Sequence, residues 1–284
     1  MTNLSPAIKW SGSKRSQAKE ICSFISKNYN TYYELFCGGC SVLFYILNYY
    51  PDKFKRFICN DINKPLIDLY KLIMTDWNFV QKTYETLWLE LNKDDDLERK
   101  KEYFNKIRAD FNNTYKPELF FFIMRTTTNG MPRYNKNGEF NNSFHVTRNG
   151  MNPKETKKIL ANWSNLLNKY EVQFYSGSYD LYKATENDLL YLDPPYYSTK
   201  GMYYGTINYE ELWSYLLSTK SDWFLSFDGK AGNEDLTVEI PKIYSKHLYL
   251  NNGNSSFRRV TGKSKDTIVQ ESLYIKVKEG IKCN

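Results

Sequence analysis

The segment Leu189–Tyr196 has the sequence Leu-Leu-Tyr-Leu-Asp-Pro-Pro-Tyr, an apolar run that stops abruptly at an acid and two prolines. Proline gives no N–H to a sheet ladder and holds its backbone extended, so the pattern predicts a buried strand that ends in a rigid turn. A carboxylate, a carbonyl and an aromatic ring at a strand tip can hold a flat ring that bears an amine. The alternative is a structural turn, in which Asp193 binds nearby amides and Tyr196 covers the core.

The composition is that of a globular protein with a sizeable core. The chain has 284 residues, of which 41% are hydrophobic and 25% are charged. This length suits one large α/β domain or a core with an inserted module. No apolar run reaches the length that spans a bilayer, and the N-terminus lacks the pattern of a signal peptide. We therefore expect a protein that stays inside the cell and has no membrane partner.

Charge and aromatic content indicate the kind of partner. The net charge of +7 suits a polyanion. Aromatic residues make up 17% of the chain; they could stack on bases, or Tyr could simply replace Leu through codon usage. The five cysteines are an odd number, and we expect reduced thiols. Cys37 and Cys40 form a C-x-x-C pair, but nothing in the sequence supplies the remaining zinc ligands, so no metal site is predicted.

A second ligand-binding pattern lies in the first quarter of the chain. It predicts a buried strand over Tyr32–Phe36, a tight turn at Cys37-Gly38-Gly39, a helix over Ser41–Tyr49 and another strand, Phe57–Asp61. Glycines let the backbone approach a ligand closely, and an acid that ends the second strand is positioned for ribose hydroxyls. A glycine turn followed by a helix-capping Asp61 is the alternative.

The N-terminal segment carries a further turn. Ala7–Lys14 joins a short apolar start to small residues, and Gln17–Lys27 has helical spacing. A glycine turn that opens a helix presents backbone amides to an anion, and Lys14 adds a positive charge. The full phosphate-loop pattern is missing, so a carboxylate is an equally good ligand for this turn.

Four motifs agree in order with a known family. They are Lys9-Trp10-x-Gly12-x-Lys14, Glu34-Leu35-Phe36-Cys37-Gly38-Gly39-x-Ser41, Asn60-Asp61-Ile62-Asn63 and Asp193-Pro194-Pro195-Tyr196. The chain resembles the Dam-type DNA adenine-N6 methyltransferases over nearly its whole length. The resemblance implies an α/β fold, namely a Rossmann-like S-adenosylmethionine-dependent methyltransferase sheet with an inserted, mostly helical DNA-recognition domain that carries a β-hairpin.

The resemblance also implies S-adenosyl-L-methionine as the cofactor. Trp10 and Lys14 would lie near its methionine end, Phe36 would pass beneath it, and Asp61 would hold the ribose hydroxyls. The complete set of implied cofactor contacts is Trp10, Lys14, Glu34, Phe36, Gly38, Asp61, Ser178, Tyr179 and Asp193.

The predicted catalytic residues are Asp193, Pro194 and Tyr196. The lone pair of an exocyclic adenine amine is delocalised, and it becomes available if Asp193 and the Pro194 carbonyl accept the two N6 hydrogens. Tyr196 would stack on a base flipped out of the duplex. Cytosine-C5 transfer usually uses a cysteine after proline, and no cysteine here follows one. Cytosine-N4 transfer stays chemically possible, and Asp at position 193 favours adenine by resemblance.

The middle of the chain is predicted to be the target-recognition domain. It covers residues 76–158, between core parts 1–75 and 159–284, and contains amphipathic helices at Trp77–Leu91 and Leu97–Phe111. A hairpin near 131–147 is expected to turn at the Asn-Gly pair of residues 137 and 138.

By resemblance this hairpin reads DNA, with Arg133 as the guanine-reading residue in the major groove. The implied DNA contacts are Lys9, Asn129, Met131, Arg133, Asn135, Ser143 and Arg148. The basic segment 251–265 is expected either to contact DNA phosphates or to be merely solvated. The resemblance implies GATC or a related short sequence as the site; Thr128, Ser143 and His145 are the positions at which the hairpin departs from the pattern of the family.

The sequence thus predicts a site-specific adenine methyltransferase that acts on double-stranded DNA in the cytoplasm of a bacterial or phage-infected cell, as a monomer or weak dimer. The alternatives are an RNA adenine methyltransferase and a catalytically silent DNA-binding protein. The hairpin with Arg133 argues against RNA, because the A-form major groove excludes such a ribbon. Intact Asp193 and Tyr196 argue against a silent protein.

Overall fold

A computed structural model describes residues 5–197, 207–254 and 268–278. Its helices are α1 (Ala18–Cys22), α2 (Ser41–Tyr49), α3 (Lys64–Leu91), α4 (Leu97–Thr114), α5 (Pro117–Thr126), α6 (Pro153–Lys169) and α7 (Tyr209–Ser218). Its strands are β1 (Tyr29–Glu34), β2 (Phe54–Asp61), β3 (Gln173–Ser176), β4 (Leu189–Leu192), β5 (Asp222–Ala231), β6 (Glu234–Asp235), β7 (Lys246–Asn254) and β8 (Ile268–Lys276). Within the described ranges, no helix is both long and apolar enough to cross a membrane.

The described strands form one mixed sheet, in the order β3-β2-β1-β4-β5-β8-β7, with β6 paired to β5. The first five strands of this order are parallel, and β8 runs antiparallel to both β5 and β7. The chain leaves β1 towards β2 on one side and later returns to its other side as β4. Open α/β sheets bind ligands outside the carboxyl ends of their strands at such a reversal. The predicted α/β, Rossmann-like class is confirmed.

The central strands are buried on both faces. Tyr32 of β1 and Leu189 of β4 belong to one buried apolar cluster, whereas the next residues, Tyr33 and Leu190, belong to a second. Alternate side chains of a strand point to opposite faces of its sheet. The unbroken apolar run that ends at Leu192 is therefore that of a strand covered on both sides, as parallel sheets usually are.

The predicted helix over Gln17–Lys27 is wrong in its second half, because α1 ends at Cys22. Ser23 Oγ donates a hydrogen bond to the carbonyl of Glu20 at 2.6 Å. The next two N–H groups bond to carbonyls only three residues back. This tight last turn ends the helix and brings Ile25 into the core.

Residues 76–158, which the sequence predicts to be an inserted domain, are mostly helical, but α3 and α6 extend beyond the two ends of this range. The predicted helix over Trp77–Leu91 is the second half of α3, which has non-helical φ and ψ of −150° and 69° at Asp76. Similarly, α6 continues across positions 158 and 159. Both predicted domain boundaries thus fall inside helices, and the three-part division stays a prediction.

Candidate active site and recognition hairpin

The turn after β1 is enclosed by Trp10 from the N-terminal segment. Gly38 has a φ of +43°, and a Cβ built on it would lie 2.6 Å from Nε1 of Trp10. The carbonyl of Gly38 accepts a hydrogen bond from the Tyr70 hydroxyl at 3.1 Å. A glycine is needed here both for the backbone conformation and for the close approach of the indole.

Asp61, at the end of β2, supports the same turn. Its Oδ1 accepts the N–H of Asn63 at 2.9 Å and its Oδ2 accepts the N–H of Gly38 at 3.0 Å. Burial raises the pKa of Asp61 to about 6, and these two N–H groups oppose the rise. An ionised carboxylate can accept about four hydrogen bonds, so Asp61 retains capacity for hydroxyl donors, and its contact with a ribose stays a prediction.

Asn60 has a structural role that the sequence did not reveal. Its Nδ2 donates to the carbonyls of Leu35 at 3.2 Å and Gly177 at 3.0 Å, and its Oδ1 accepts the hydroxyl of Tyr182 at 3.0 Å. The side chain thereby ties together the ends of β1, β2 and β3. The sequence feature that could have indicated this role is the position of Asn60 itself, a polar residue next to Asp61 at the end of an apolar strand.

The remaining predicted cofactor residues fall into two groups. Phe36 and Tyr179 lie together, with ring centroids 5.2 Å apart, and Ser178 directly precedes a short 3-10 helix that begins at Tyr179. Glu34 is only 2% exposed, and its carboxylate accepts the N–H of Leu43 at 2.8 Å. Burial raises the pKa of Glu34 well above its usual range. Glu34 therefore stabilises the start of α2, and its direct contact with a cofactor stays a prediction.

Asp193 follows β4 at the same edge of the sheet and is paired with a buried lysine. Its Oδ2 lies 2.9 Å from Nζ of Lys14, which also lies 3.3 Å from Oε2 of Glu271 and 3.1 Å from the carbonyl of Gly12. Burial raises the pKa of Asp193 to about 6; the ammonium of Lys14 opposes the rise and the carboxylate of Glu271 adds to it. The structure thus joins two predicted residues to a third, Glu271, for which the sequence predicted no functional role.

Tyr196 packs beside this ion pair. Its ring lies 5.0 Å from Nζ of Lys14 and contacts Phe227 edge-on, with centroids 5.8 Å apart. Burial, then the carboxylates of Asp193 and Glu271, raise the pKa of the Tyr196 hydroxyl well above its usual range. Tyr196 is therefore a neutral aromatic group beside the ion pair, at the edge of the sheet where the neighbouring strands β1 and β4 end. We call this place the crevice.

The predicted hairpin is present, although its strands pair only through isolated bridges, among them Tyr134 with Phe140. The N–H of Gly138 donates to the carbonyl of Asn135 at 3.0 Å, and Gly138 has a φ of +78°. This is the pattern of a three-residue loop that ends in a glycine bulge. Asn63 donates to the Tyr134 hydroxyl at 3.1 Å and thereby attaches the hairpin to the core.

Arg133 is exposed on this hairpin. Its Nε donates to Oδ1 of Asn141 at 2.9 Å, which holds the guanidinium over the opposite side of the hairpin. Asn135 instead bonds within the turn, since its Oδ1 accepts the N–H groups of Asn137 at 2.9 Å and Glu139 at 3.0 Å.

The other predicted DNA contacts surround the base of the hairpin. The carbonyl of Ser143 accepts the N–H of Thr128 at 2.9 Å, and the carbonyl of Met131 accepts the N–H of Arg133 at 2.9 Å. Asn129 has a φ of +58°. Arg148 is exposed.

Lys9 links this region to the crevice. A Cβ on Gly130 would lie 2.6 Å from Cγ of Lys9, and the N–H of Ser11 donates to the carbonyl of Gly130 at 3.0 Å. Burial and the positive charge of Arg148 lower the pKa of Lys9. One short segment therefore carries Lys9 against the hairpin base, Trp10 over the glycine turn, and Lys14 next to Asp193.

The cysteines of the described residues, Cys22, Cys37, Cys40 and Cys59, are buried and unbridged. Within those ranges no group of three or more His, Cys, Asp or Glu side chains could hold a metal ion. Cys283 and most of the predicted phosphate-contacting segment 251–265 lie outside the described residues.

The reversal of strand order between β1 and β4 is the kind of place at which open α/β sheets bind ligands. Residues 10–228 match the model of the D12 class N6 adenine-specific DNA methyltransferases. The chain belongs to this family, and the predicted resemblance and enzymatic class are confirmed.

Two relatives illustrate the match. The type II methyltransferase M.MjaIII of Methanocaldococcus jannaschii is 32% identical over 258 residues, which cover 85% of this chain and 79% of that protein. The DNA adenine methylase of Escherichia coli (strain K12) is 31% identical over 192 residues, which cover 66% of this chain and 64% of that protein.

Proposed function

We propose that the protein transfers a methyl group from S-adenosyl-L-methionine to N6 of an adenine flipped out of duplex DNA, at GATC or a related short site. One observation carries the proposal. Strands β1 and β4 are hydrogen-bonded neighbours, with Glu34 opposite Tyr191. The glycine turn that follows β1 and the Asp193 turn that follows β4 therefore leave the same edge of the sheet side by side.

The residues around the glycine turn suit the cofactor. Asp61 supplies a carboxylate that can accept ribose hydroxyls, Phe36 and Tyr179 supply aromatic surface for the adenine, and Trp10 closes the other side of the turn. When bound, S-adenosylmethionine supplies an activated methyl group on a sulfonium sulfur.

Residues after β4 make the N6 amine of the target adenine more nucleophilic. Asp193 and the carbonyl of Pro194 accept the two N6 hydrogens, which localises the nitrogen lone pair, and Tyr196 stacks on the extruded base. Asp193 does this only when ionised, and its ion pair with Lys14 favours that form. The exposed Arg133 and its hairpin select the site through the major groove.

The test is transfer of a labelled methyl group to unmethylated duplex DNA by wild type, Asp193→Ala and a matched control, Asp52→Ala, which removes an exposed acid away from the crevice. Loss of an electrostatic contact of this kind typically costs about 10²–10³-fold in rate, so we expect at least that loss for Asp193→Ala and none for the control. Digestion of the product DNA should release N6-methyladenine.

Three results would contradict the proposal: label in RNA only, N4-methylcytosine as the product, or no transfer by a wild type that binds DNA tightly. Duplexes with and without GATC distinguish that site from related ones. A wild type that methylates adenine only in the second duplex would overturn GATC as the target.

A further inference from the structure

The contacts around Lys14 assign a role to Glu271 in the methyl transfer proposed above. We infer that Glu271 is a positioning residue that shares the Lys14 ammonium with Asp193, so that the crevice keeps one net negative charge where the amine reacts. This inference rests on the proposed function of Asp193.

The geometry of the three groups supports it. Nζ of Lys14 lies 2.9 Å from Oδ2 of Asp193 and 3.3 Å from Oε2 of Glu271, and the three side chains are 4%, 18% and 8% exposed. Charges this poorly solvated interact more strongly than charges on the surface. Two carboxylates and one ammonium leave one net negative charge.

The pairing of β5 with β8 positions Glu271 next to Lys14. In the pairing of β5 with β8, Phe227 is opposite Ser272 and Lys230 is opposite Gln270, with a register shift between them. Glu271 therefore lies opposite a bulge that contains Gly229, whose Cβ would be 2.3 Å from the carbonyl oxygen of Gln270. Bulges bend a strand and often re-aim side chains beside active sites.

The charge matters because of what happens to the amine. The N6 lone pair forms the new N–C bond while the S–C bond breaks and leaves its electron pair on sulfur. The nitrogen then carries one positive charge until it gives a proton to Asp193 and from there to water. A cluster with one net negative charge stabilises that positive nitrogen, whereas an isolated neutral pair of Asp193 and Lys14 does not.

Tyr191, Tyr196 and Glu34, which also lie in this buried region, do not supply the charge at neutral pH. The hydroxyls of Tyr191 and Tyr196 both have a pKa raised well above the usual range, first by burial and then by nearby carboxylates. Burial also raises the pKa of Glu34 well above its usual range. Removal of the Glu271 carboxylate should therefore change both the pKa of Asp193 and the net charge around it.

The experiment measures single-turnover methyl transfer against pH, at saturating cofactor and DNA, for wild type, Glu271→Gln and the matched control Glu239→Gln, which removes an exposed acid. We expect Glu271→Gln to slow transfer by about 10–100-fold near pH 8 and the control to behave as wild type. Because the carboxylate of Glu271 raises the pKa of Asp193, its loss should also move the acid limb of the profile to lower pH.

A double variant separates charge from packing. Lys14→Met also removes the charge that favours ionised Asp193, so the double variant of Lys14→Met with Glu271→Gln is compared on the alkaline plateau of its own pH profile. There Asp193 again carries one net negative charge, and the double variant should transfer faster than Glu271→Gln alone. Additive losses, or an unshifted acid limb in a Glu271→Gln protein with wild-type thermal unfolding, would overturn the inference. If instead Asp193→Ala retains activity, the proposed function itself fails, and the two failures remain distinguishable.

Discussion

The crevice and the hairpin each depend on a glycine at positive φ, yet their surroundings differ. A Cβ on Gly38 would lie 2.6 Å from Trp10, whereas one on Gly138 would meet no atom of the described residues within 4 Å. Likewise Lys14 is 4% exposed and held between two carboxylates, whereas Arg133 is exposed. Groups that act on a reacting atom need a fixed, poorly solvated environment. Side chains that read DNA must instead extend into solvent, where they can contact the bases.

The largest effect is expected from Gly38→Ala. Left-handed strain costs about 1–2 kcal/mol and crowding against Trp10 costs about 1–3 kcal/mol, so the loss should be about 2–5 kcal/mol. We expect it to appear as weaker cofactor binding by calorimetry and as lower stability to urea. If Gly38→Ala lowers the free energy of unfolding by no more than Gly138→Ala does, Trp10 can move aside without a large loss of stability. The contrast between the two turns would then disappear.

Next in size is Arg133→Ala. Loss of a bidentate guanine contact typically costs about 1–3 kcal/mol of discrimination, and the exposed side chain contributes little to the core. We expect kcat/KM on the preferred duplex to fall towards its value on single-mismatch duplexes, with an unchanged thermal unfolding temperature. Lys136→Ala, an exposed charge removal on the same hairpin, is the control. An equal fall on all duplexes would assign Arg133 to phosphate contact rather than to base reading.

The smallest effect is expected from Gly138→Ala, because only backbone strain of about 1–2 kcal/mol is involved. The change should weaken DNA binding slightly and leave cofactor binding unaltered. Gly138→Asn should cost less, since Asn tolerates the left-handed conformation. The comparison is made by DNA titration and cofactor calorimetry on both variants; weaker cofactor binding would reveal a coupling between hairpin and crevice.

Much of the fold followed from local patterns. The apolar run before Asp193 and the glycines after β1 predicted two strand ends, because prolines and left-handed turns leave a signature within a few residues. The shortened α1 and the continuous α3 did not follow from such patterns. Helix ends depend on bonds such as that from Ser23 to Glu20, and on packing that periodicity does not report.

The sequence by itself determined the order of motifs and the family. It also determined the residue types of the crevice, an acid before two prolines and a double glycine after a strand, and the arginine of the Asn-Gly hairpin. Only the tertiary structure decided which charges meet. Lys14 and Glu271 are separated by nearly the whole chain, and no local pattern pairs them. The strand reversal at β1 and β4 and the bulge in β5 bring them to Asp193, because the sheet fixes which strand ends are neighbours.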